Sequence, residues 1–179
     1  MVQPRIDYCS QLWAPVRASD IQRLEALQRT YTSRISAVSH LNYWERLHQL
    51  GMSSQERRTE RYKILYVWKI IEGKVPNFGI SVYESQRHGR MCRLPKINTK
   101  TSRATQTLRE SSLSVHGPRL FNVLPQAFRN KTGCETESAK RTLNNQLQLI
   151  PDQPRIPGYT QQCRTESNSI IHMINLTVS

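Results

Sequence analysis

The segment from residue 54 to residue 72 constrains the fold of this chain more than any other part. Its first turns are charged, whereas residues 64–71 are apolar on every side apart from Lys69. A helix that is apolar all round has to be buried. Gly73 and then Pro76 follow, and these residues end helices. We therefore predict a helix over residues 54–72 whose second half forms the centre of the core.

Further helices are predicted where apolar residues recur every three or four positions. The segments that carry such a repeat are about 20–35, 40–50, 118–124 and 137–150. In the first, Leu24, Leu27 and Tyr31 belong to one apolar stripe, which we expect to face the core. The short third helix is expected to begin at Pro118, because proline suits the first position of a helix.

The middle and the end of the chain have a different pattern. Residues 90–97 and 106–115 are predicted to be two strands of a β-hairpin, joined by a polar loop at 98–101. The second prediction rests on the alternation of residues 105–110 between two sides. Residues 151–179 contain three prolines within their first seven positions and are mostly polar afterwards. We expect this segment to be extended or disordered.

The fold class predicted from these patterns is mainly α: a small helical bundle with a central β-hairpin and an extended or disordered C-terminal tail. Only 37% of the residues are hydrophobic and 7% are aromatic, so we expect one modest core. The expected organisation is a helical domain at 1–76, a basic hairpin-and-helix region at 77–150 and a Pro-rich tail at 151–179.

Positive charge is concentrated in the middle of the chain. The net charge is +13, and residues 76–132 hold 10 Lys and Arg against 2 Asp and Glu. Repeated cations attract the phosphates of nucleic acid. The candidate nucleic-acid-binding residues form two clusters: Arg57, Arg58, Arg61 and Lys63, then Arg87, Arg90, Arg93, Lys96, Lys100 and Arg103. Non-specific binding of RNA or DNA is the functional hypothesis, and a solvated basic face without a partner is the alternative.

Catalytic and metal-binding patterns are not found in the sequence. It has no phosphate-binding loop, no nucleophile elbow and no closely spaced aspartates that could hold metal ions. Its 4 cysteines lie far apart, without zinc spacing. A Cys–His nucleophile pair stays open, because such partners meet in space. We predict no enzymatic activity, no metal, no cofactor and no small-molecule substrate.

The location expected from the sequence is intracellular, either nuclear or cytoplasmic. No apolar signal region follows Met1, and no run approaches the roughly 20 apolar residues that span a bilayer. The cysteines are therefore expected to be free thiols.

Several strings of the sequence resemble one family. RIDYCSQLWAP at 5–15 and DIQRLEALQRTYTSRI at 20–35 are similar to the region just after the polymerase core of non-LTR (LINE-type) retrotransposon reverse transcriptases. The similarity continues through residues 41–77 and through TLRESSLSVHGPRLFNVLP at 107–125. It extends along essentially the whole chain.

The resemblance implies that the parent protein is an RNA-directed DNA polymerase whose catalytic aspartates lie in a missing upstream segment. None of the family's catalytic residues matches a position in this chain. The chain is then a non-catalytic C-terminal fragment that contacts RNA or DNA through its basic clusters. Two alternatives stay open: a structural or interaction module, and a decayed transposon copy without function.

Overall fold

The computed structural model describes residues 7–15, 17–77, 79–96, 102–154, 156 and 168–178. The fold is mainly helical and contains one antiparallel β-hairpin, as predicted. The elements in chain order are α1 (Ser10–Trp13), α2 (Ala18–Thr32), α3 (Tyr43–Gln49), α4 (Gln55–Ile71), β1 (Val82–Ser85), β2 (Gly89–Cys92), α5 (Arg103–Ser111), α6 (Leu113–Val123), α7 (Gln126–Arg129), α8 (Thr136–Gln148) and α9 (Ile170–Val178).

The chain divides into two compact units, and the division falls within α4. The hairpin unit consists of Met1–Ala14 and Thr59–Ile150. The α2–α3 unit consists of Pro15–Arg58 and Pro151–Ser179. Each unit is therefore built from two separate parts of the chain, whereas the three regions expected from the sequence follow one another along it.

The second half of α4 lies at the centre of the hairpin unit. Ile64, Val67 and Trp68 are each 0% exposed, which confirms the prediction from the apolar run. The other fully or nearly fully buried apolar side chains of this core come mainly from α6, α7 and α8: Val115, Leu120, Phe121, Leu124, Phe128, Ala139 and Leu143. The indole Nε1–H of Trp68 donates to the carbonyl of Lys131 at 3.0 Å, so the only polar atom of the ring is satisfied.

Helix α6 departs from the prediction, because it begins at Leu113 and not at Pro118. Pro118 is the sixth residue of the helix. A proline at this position removes the hydrogen bond to the carbonyl of Ser114. Ser114 is exposed, so water can satisfy that carbonyl. Gly117 is buried, which brings the α6 backbone close to α4.

The predicted strand positions were wrong, although the hairpin exists. The strands are Val82–Ser85 and Gly89–Cys92, and residues 103–111 form helix α5. The hydroxyl of Ser102 accepts from the backbone N–H of Thr105 and caps α5. This cap favours a helix where alternating residues had indicated a strand. The hairpin turn is made where Gly89 has φ +67, a conformation that glycine adopts without strain.

The α2–α3 unit has a small apolar core. Tyr43 and Leu47 of α3 cluster with Ile156, and Trp44 and Met52 pack against them. Helix α3 begins with a capping box, in which Asn42 and Glu45 bond each other's backbone N–H groups.

Helix α2 turns a different face inward from the one predicted. Its buried residues are Glu25, Gln28 and Thr32, whereas Leu27 is 58% exposed and Tyr31 is 69% exposed. The prediction that the apolar stripe faces the core was therefore wrong for these two residues. Two of the buried polar side chains bond the start of α4: Glu25 accepts from the backbone N–H of Gln55, and Gln28 accepts from the Gln55 amide. The hydroxyl of Thr32 donates to the carbonyl of Arg29 in its own helix.

The C-terminal segment is more ordered at its end than predicted. Residues 151–154 have no regular secondary structure, but Ile170–Val178 is a helix. Ile170 is 0% exposed, so an apolar side chain anchors it. Just before it, the Asn168 amide donates to Asp152 at 2.7 Å and to the Ser54 hydroxyl at 3.0 Å. The middle of the predicted tail lies outside the described residues.

Candidate nucleic-acid interface

The β-hairpin carries the largest group of exposed predicted cations. Its register pairs Val82 with Cys92, Tyr83 with Met91, Glu84 with Arg90 and Ser85 with Gly89. Side chains that are directly opposite in an antiparallel pair lie on the same face. Because side chains alternate along a strand, the pair 84–90 lies on one face and the pair 83–91 on the other.

The inner face of the hairpin is held to its own unit by an ion pair and by a buried side chain. A guanidinium Nη2 of Arg90 lies 2.9 Å from Oε1 of Glu72, and the other Glu72 oxygen accepts from the backbone N–H of Gly133 at 2.7 Å. Cys92 is 1% exposed, and burial raises the pKa of its thiol to about 12. Arg90, a predicted binding residue, therefore fastens the hairpin to its own unit.

Side chains also bond the backbone of β2 on the side that faces away from β1. The amide of Asn122 accepts from Cys92 N–H at 2.8 Å and donates to Cys92 O at 2.9 Å. Asn130 accepts from Arg90 N–H at 3.0 Å, and Arg129 donates to Arg90 O at 2.7 Å. A fifth bond, from the Gln126 amide to Arg87 O at 2.8 Å, holds the turn. The hairpin is thus a rigid platform.

The outer face combines an aromatic ring with cations. Tyr83 is 39% exposed, and its hydroxyl lies 3.8 Å from the sulfur of Met91 across the hairpin. The guanidinium carbon of Arg93 lies over the Tyr83 ring, 5.7 Å from its centroid. Arg87 in the turn and Lys96 beyond β2 are exposed. This arrangement can neutralise phosphates and can offer a flat ring to a base.

The predicted residues of α4 do not form a second basic surface. Arg57 is 2% exposed and donates to the carbonyl of Pro151 at 2.7 Å. Lys63 is 7% exposed and donates to the carbonyl of Ser111 at 3.1 Å. Arg61 is half-buried, and its Nε donates to Asn144 at 2.6 Å.

The remaining predicted residues are dispersed. Arg58 is half-buried in the α2–α3 unit, and Arg103 is exposed at the start of α5. Lys100 lies outside the described residues. Of the ten predicted residues, Arg87, Arg93 and Lys96 are therefore the exposed ones that lie in or next to the hairpin.

A titratable cluster in the hairpin unit was missed by sequence reasoning. Lys63 Nζ lies 3.4 Å from His116 Nδ1, and His116 Nε2 lies 3.7 Å from Glu60 Oε1. Burial, with Lys63 and Arg119 nearby, lowers the pKa of His116 to about 4. Burial also lowers the pKa of Lys63. The lowered pKa favours the neutral ring, whose Nδ1 can accept a hydrogen bond.

A second polar cluster lies in the α2–α3 unit. Glu25 accepts from the Tyr43 hydroxyl and, at 2.8 Å, from the backbone N–H of Gln55 at the start of α4. Burial raises the pKa of Glu25 to about 7, although both hydrogen bonds oppose the shift. The pKa of Tyr43 is raised by burial and by the neighbouring carboxyl group. Spacing along the chain gave no signal for this contact, because the residues are 18 and 30 positions apart.

The residues that the structure covers contain neither a metal-binding cluster nor a membrane-spanning helix. No three His, Cys, Asp or Glu side chains there are grouped so that they could hold a metal ion. None of the described helices is long and apolar enough to cross a membrane. The chain matches no protein-family model, and neither curated proteins nor solved structures give a significant match.

Proposed function

We propose that the chain binds nucleic acid without sequence specificity through the outer face and turn of the β-hairpin. The observation that carries the proposal is the joint exposure of Arg87, Arg93 and Lys96 on one braced hairpin. None of the three forms an ion pair within the described part of the chain, so their charge is available to a polyanion. The only carboxylate of the hairpin, Glu84, lies on the inner face opposite Arg90.

The binding is expected to be weak and steeply dependent on salt. Each phosphate contact releases counterions and contributes roughly −0.7 to −0.9 to the slope of log affinity against log salt. Three contacts from the hairpin predict a slope of about −2 to −3. Long, flexible cations on a flat surface read charge and not base edges, so the sequence of the polymer should matter little.

Fluorescence anisotropy at several salt concentrations tests the proposal. The triple variant Arg87→Ala, Arg93→Ala and Lys96→Ala should flatten the slope by about two to three. The matched control is the triple variant Arg17→Ala, Arg23→Ala and Arg34→Ala, which removes equal charge from exposed positions elsewhere. It should leave the slope almost unchanged. Equal effects of the two variants, or no binding at low salt, would contradict the proposal.

We also propose that the chain is a non-catalytic fragment of a non-LTR retrotransposon reverse transcriptase. The support is the ordered series of strings at 5–15, 20–35, 41–77 and 107–125 that resemble the region downstream of the polymerase core. The DNA immediately upstream of the coding region should then contain an intact or decayed polymerase motif. Primer extension by the purified chain with magnesium or manganese would contradict the non-catalytic assignment.

A second candidate function is an interaction module. It is favoured by α2, where Leu27 and Tyr31 are exposed while polar residues are buried. A surface helix ordinarily turns such apolar residues towards a partner or a core. If the chain is an interaction module, its basic residues only face water. The two triple variants should then bind nucleic acid equally poorly.

A further inference from the structure

We propose that the hairpin selects single-stranded over double-stranded nucleic acid, because Tyr83 and Arg93 together form a stacking surface for one unpaired base. This inference rests on the proposed function and names the class of polymer. The two residues lie on the outer face, with the Arg93 guanidinium carbon 5.7 Å from the centroid of the Tyr83 ring.

The position of the Tyr83 ring supports a role in contact with a ligand. A tyrosine that serves only the core is buried, whereas Tyr83 is 39% exposed on the face opposite Cys92, which is 1% exposed. The ring lies between Met91, whose sulfur is 3.8 Å from the tyrosine hydroxyl, and the Arg93 guanidinium carbon, so its neighbours restrict its movement. Little conformational entropy is then lost when a base stacks on this ring.

Arg93 adds a cationic group, on which a base can also stack, to the same surface. Its guanidinium carbon lies over the ring and the residue is exposed, so the guanidinium group can stack on a base or face a neighbouring phosphate. Bases stack on aromatic rings and on guanidinium planes in known single-strand binding surfaces. The exposed cations Arg87, in the turn, and Lys96, beyond β2, lie to either side of Met91 along the chain and can contact phosphates of the same strand.

Pairing decides whether a base can reach this surface. In a duplex the faces of the bases are covered by their neighbours in the stack, so a flat hairpin meets only sugars and phosphates. Exposing one base there costs a few kcal/mol of unstacking and unpairing. A single strand already presents unstacked bases. Both polymers can make the charged contacts, whereas only the single strand can make the stacking contact.

The experiment compares three fluorescent oligonucleotides of one length: single-stranded RNA, single-stranded DNA and a duplex closed by loops at both ends. Anisotropy is measured for the full chain and for Tyr83→Leu and Tyr83→Phe, with unfolding curves to confirm that each variant is folded. Tyr83→Leu should weaken binding of both single strands about five- to thirtyfold, as expected for the loss of one stacked base. It should change duplex binding less than twofold, and Tyr83→Phe should retain single-strand binding within twofold.

The salt slope separates this contact from the charged ones. Because the ring carries no charge, Tyr83→Leu should lower affinity at every salt concentration without altering the slope. A single strand that carries 5-iodouracil should also crosslink to Tyr83 under ultraviolet light. An equal effect of Tyr83→Leu on single strands and duplex, or no effect on either, overturns the inference while the proposed function stands. Absence of binding to all three oligonucleotides overturns both.

Discussion

Arg90 and Glu72 form an ion pair between the inner face of the hairpin and the loop that follows α4. The Nη2–Oε1 distance is 2.9 Å, and the two side chains are only 14% and 8% exposed. Glu72 also accepts the backbone N–H of Gly133, so one carboxylate holds two segments. Each of these two charges stabilises the other, because removal of one would leave the other buried without an opposite charge.

Removal of the Glu72 carboxylate should therefore destabilise the hairpin unit strongly. Glu72→Ala is expected to lower the free energy of unfolding by about 3 kcal/mol, measured by denaturant titration. The control is Glu137→Ala, which removes the partner of Lys140 in a surface ion pair. That variant should change stability little, because exposed pairs are screened by water. Equal unfolding midpoints for the two variants would show that the Arg90–Glu72 pair is not a structural clamp.

Gly117 allows α6 to approach α4 closely. A Cβ atom at this position would lie 2.7 Å from Cγ2 of Val67. Alanine ordinarily stabilises a helix relative to glycine by up to about 1 kcal/mol. Here the clash should dominate, and Gly117→Ala should destabilise by about 1–3 kcal/mol. In a Val67→Ala background the same substitution should be neutral or stabilising, and a double-mutant cycle that gives additive effects would contradict the close approach.

Acid should destabilise the hairpin unit through His116. Its pKa falls from 6.5 to about 4 on folding, so the folded state resists protonation. The associated stability is present above pH 6.5 and is lost as the pH falls towards 4, by up to about 3 kcal/mol. Lys63, Arg119 and Glu60 are the charged groups beside the ring. Hydrogen exchange in α6 should accelerate between pH 7 and pH 5 in the wild type relative to His116→Gln, after correction for the intrinsic rate.

The α2–α3 unit should respond to pH in the opposite direction. The pKa of Glu25 rises from 4.5 to about 7 on folding, so the folded state favours the protonated acid. The associated stability is complete below pH 4.5 and is lost as the pH rises through 7, by up to about 3 kcal/mol. Tyr43, Asp152 and Glu56 are the titratable groups that act on it. Exchange in α3, measured at pH 5 and pH 8, should show this loss in the wild type and not in Glu25→Gln.

The exposed apolar side chains of α2 predict self-association. Leu27 and Tyr31 are 58% and 69% exposed, so replacing them with lysine should cost little folding stability. The double variant Leu27→Lys and Tyr31→Lys should remain monomeric at concentrations where the wild type associates, as judged by light scattering. A matched variant, Arg23→Lys and Arg34→Lys, should behave like the wild type. A wild-type chain that is monomeric at high concentration would remove the main support for an interaction module.

The sequence identified the elements whose patterns are local. Helix α4 was predictable because its apolar run follows charged first turns and is ended by Gly73 and Pro76, and α8 because its stripe continues over three turns. The hairpin was misplaced because the alternation at 105–110 competed with the Ser102 cap, and the cap prevailed. Local signals of comparable strength cannot be ranked without the packing that decides between them.

The candidate interface was only partly predictable for a related reason. Charge runs identify cations but not their partners, and Arg57, Lys63 and Arg90 lie against acceptors far away in the sequence. The buried face of α2 was mispredicted for the same reason, because Glu25 is buried by contacts with residues 18 and 30 positions away. Exposure of a cation depends on these long-range contacts, which periodicity does not report.

The side-chain bonds to β2 have a consequence for how the hairpin meets other chains. A two-stranded ribbon has two open edges, and each can template an incoming strand. On β2, the outward N–H and C=O groups of both Arg90 and Cys92 are already occupied by Asn122, Arg129 and Asn130. Strand addition is thereby confined to β1, a four-residue edge that carries Glu84. The hairpin can present its outer face to a ligand with little risk of growing into a larger sheet.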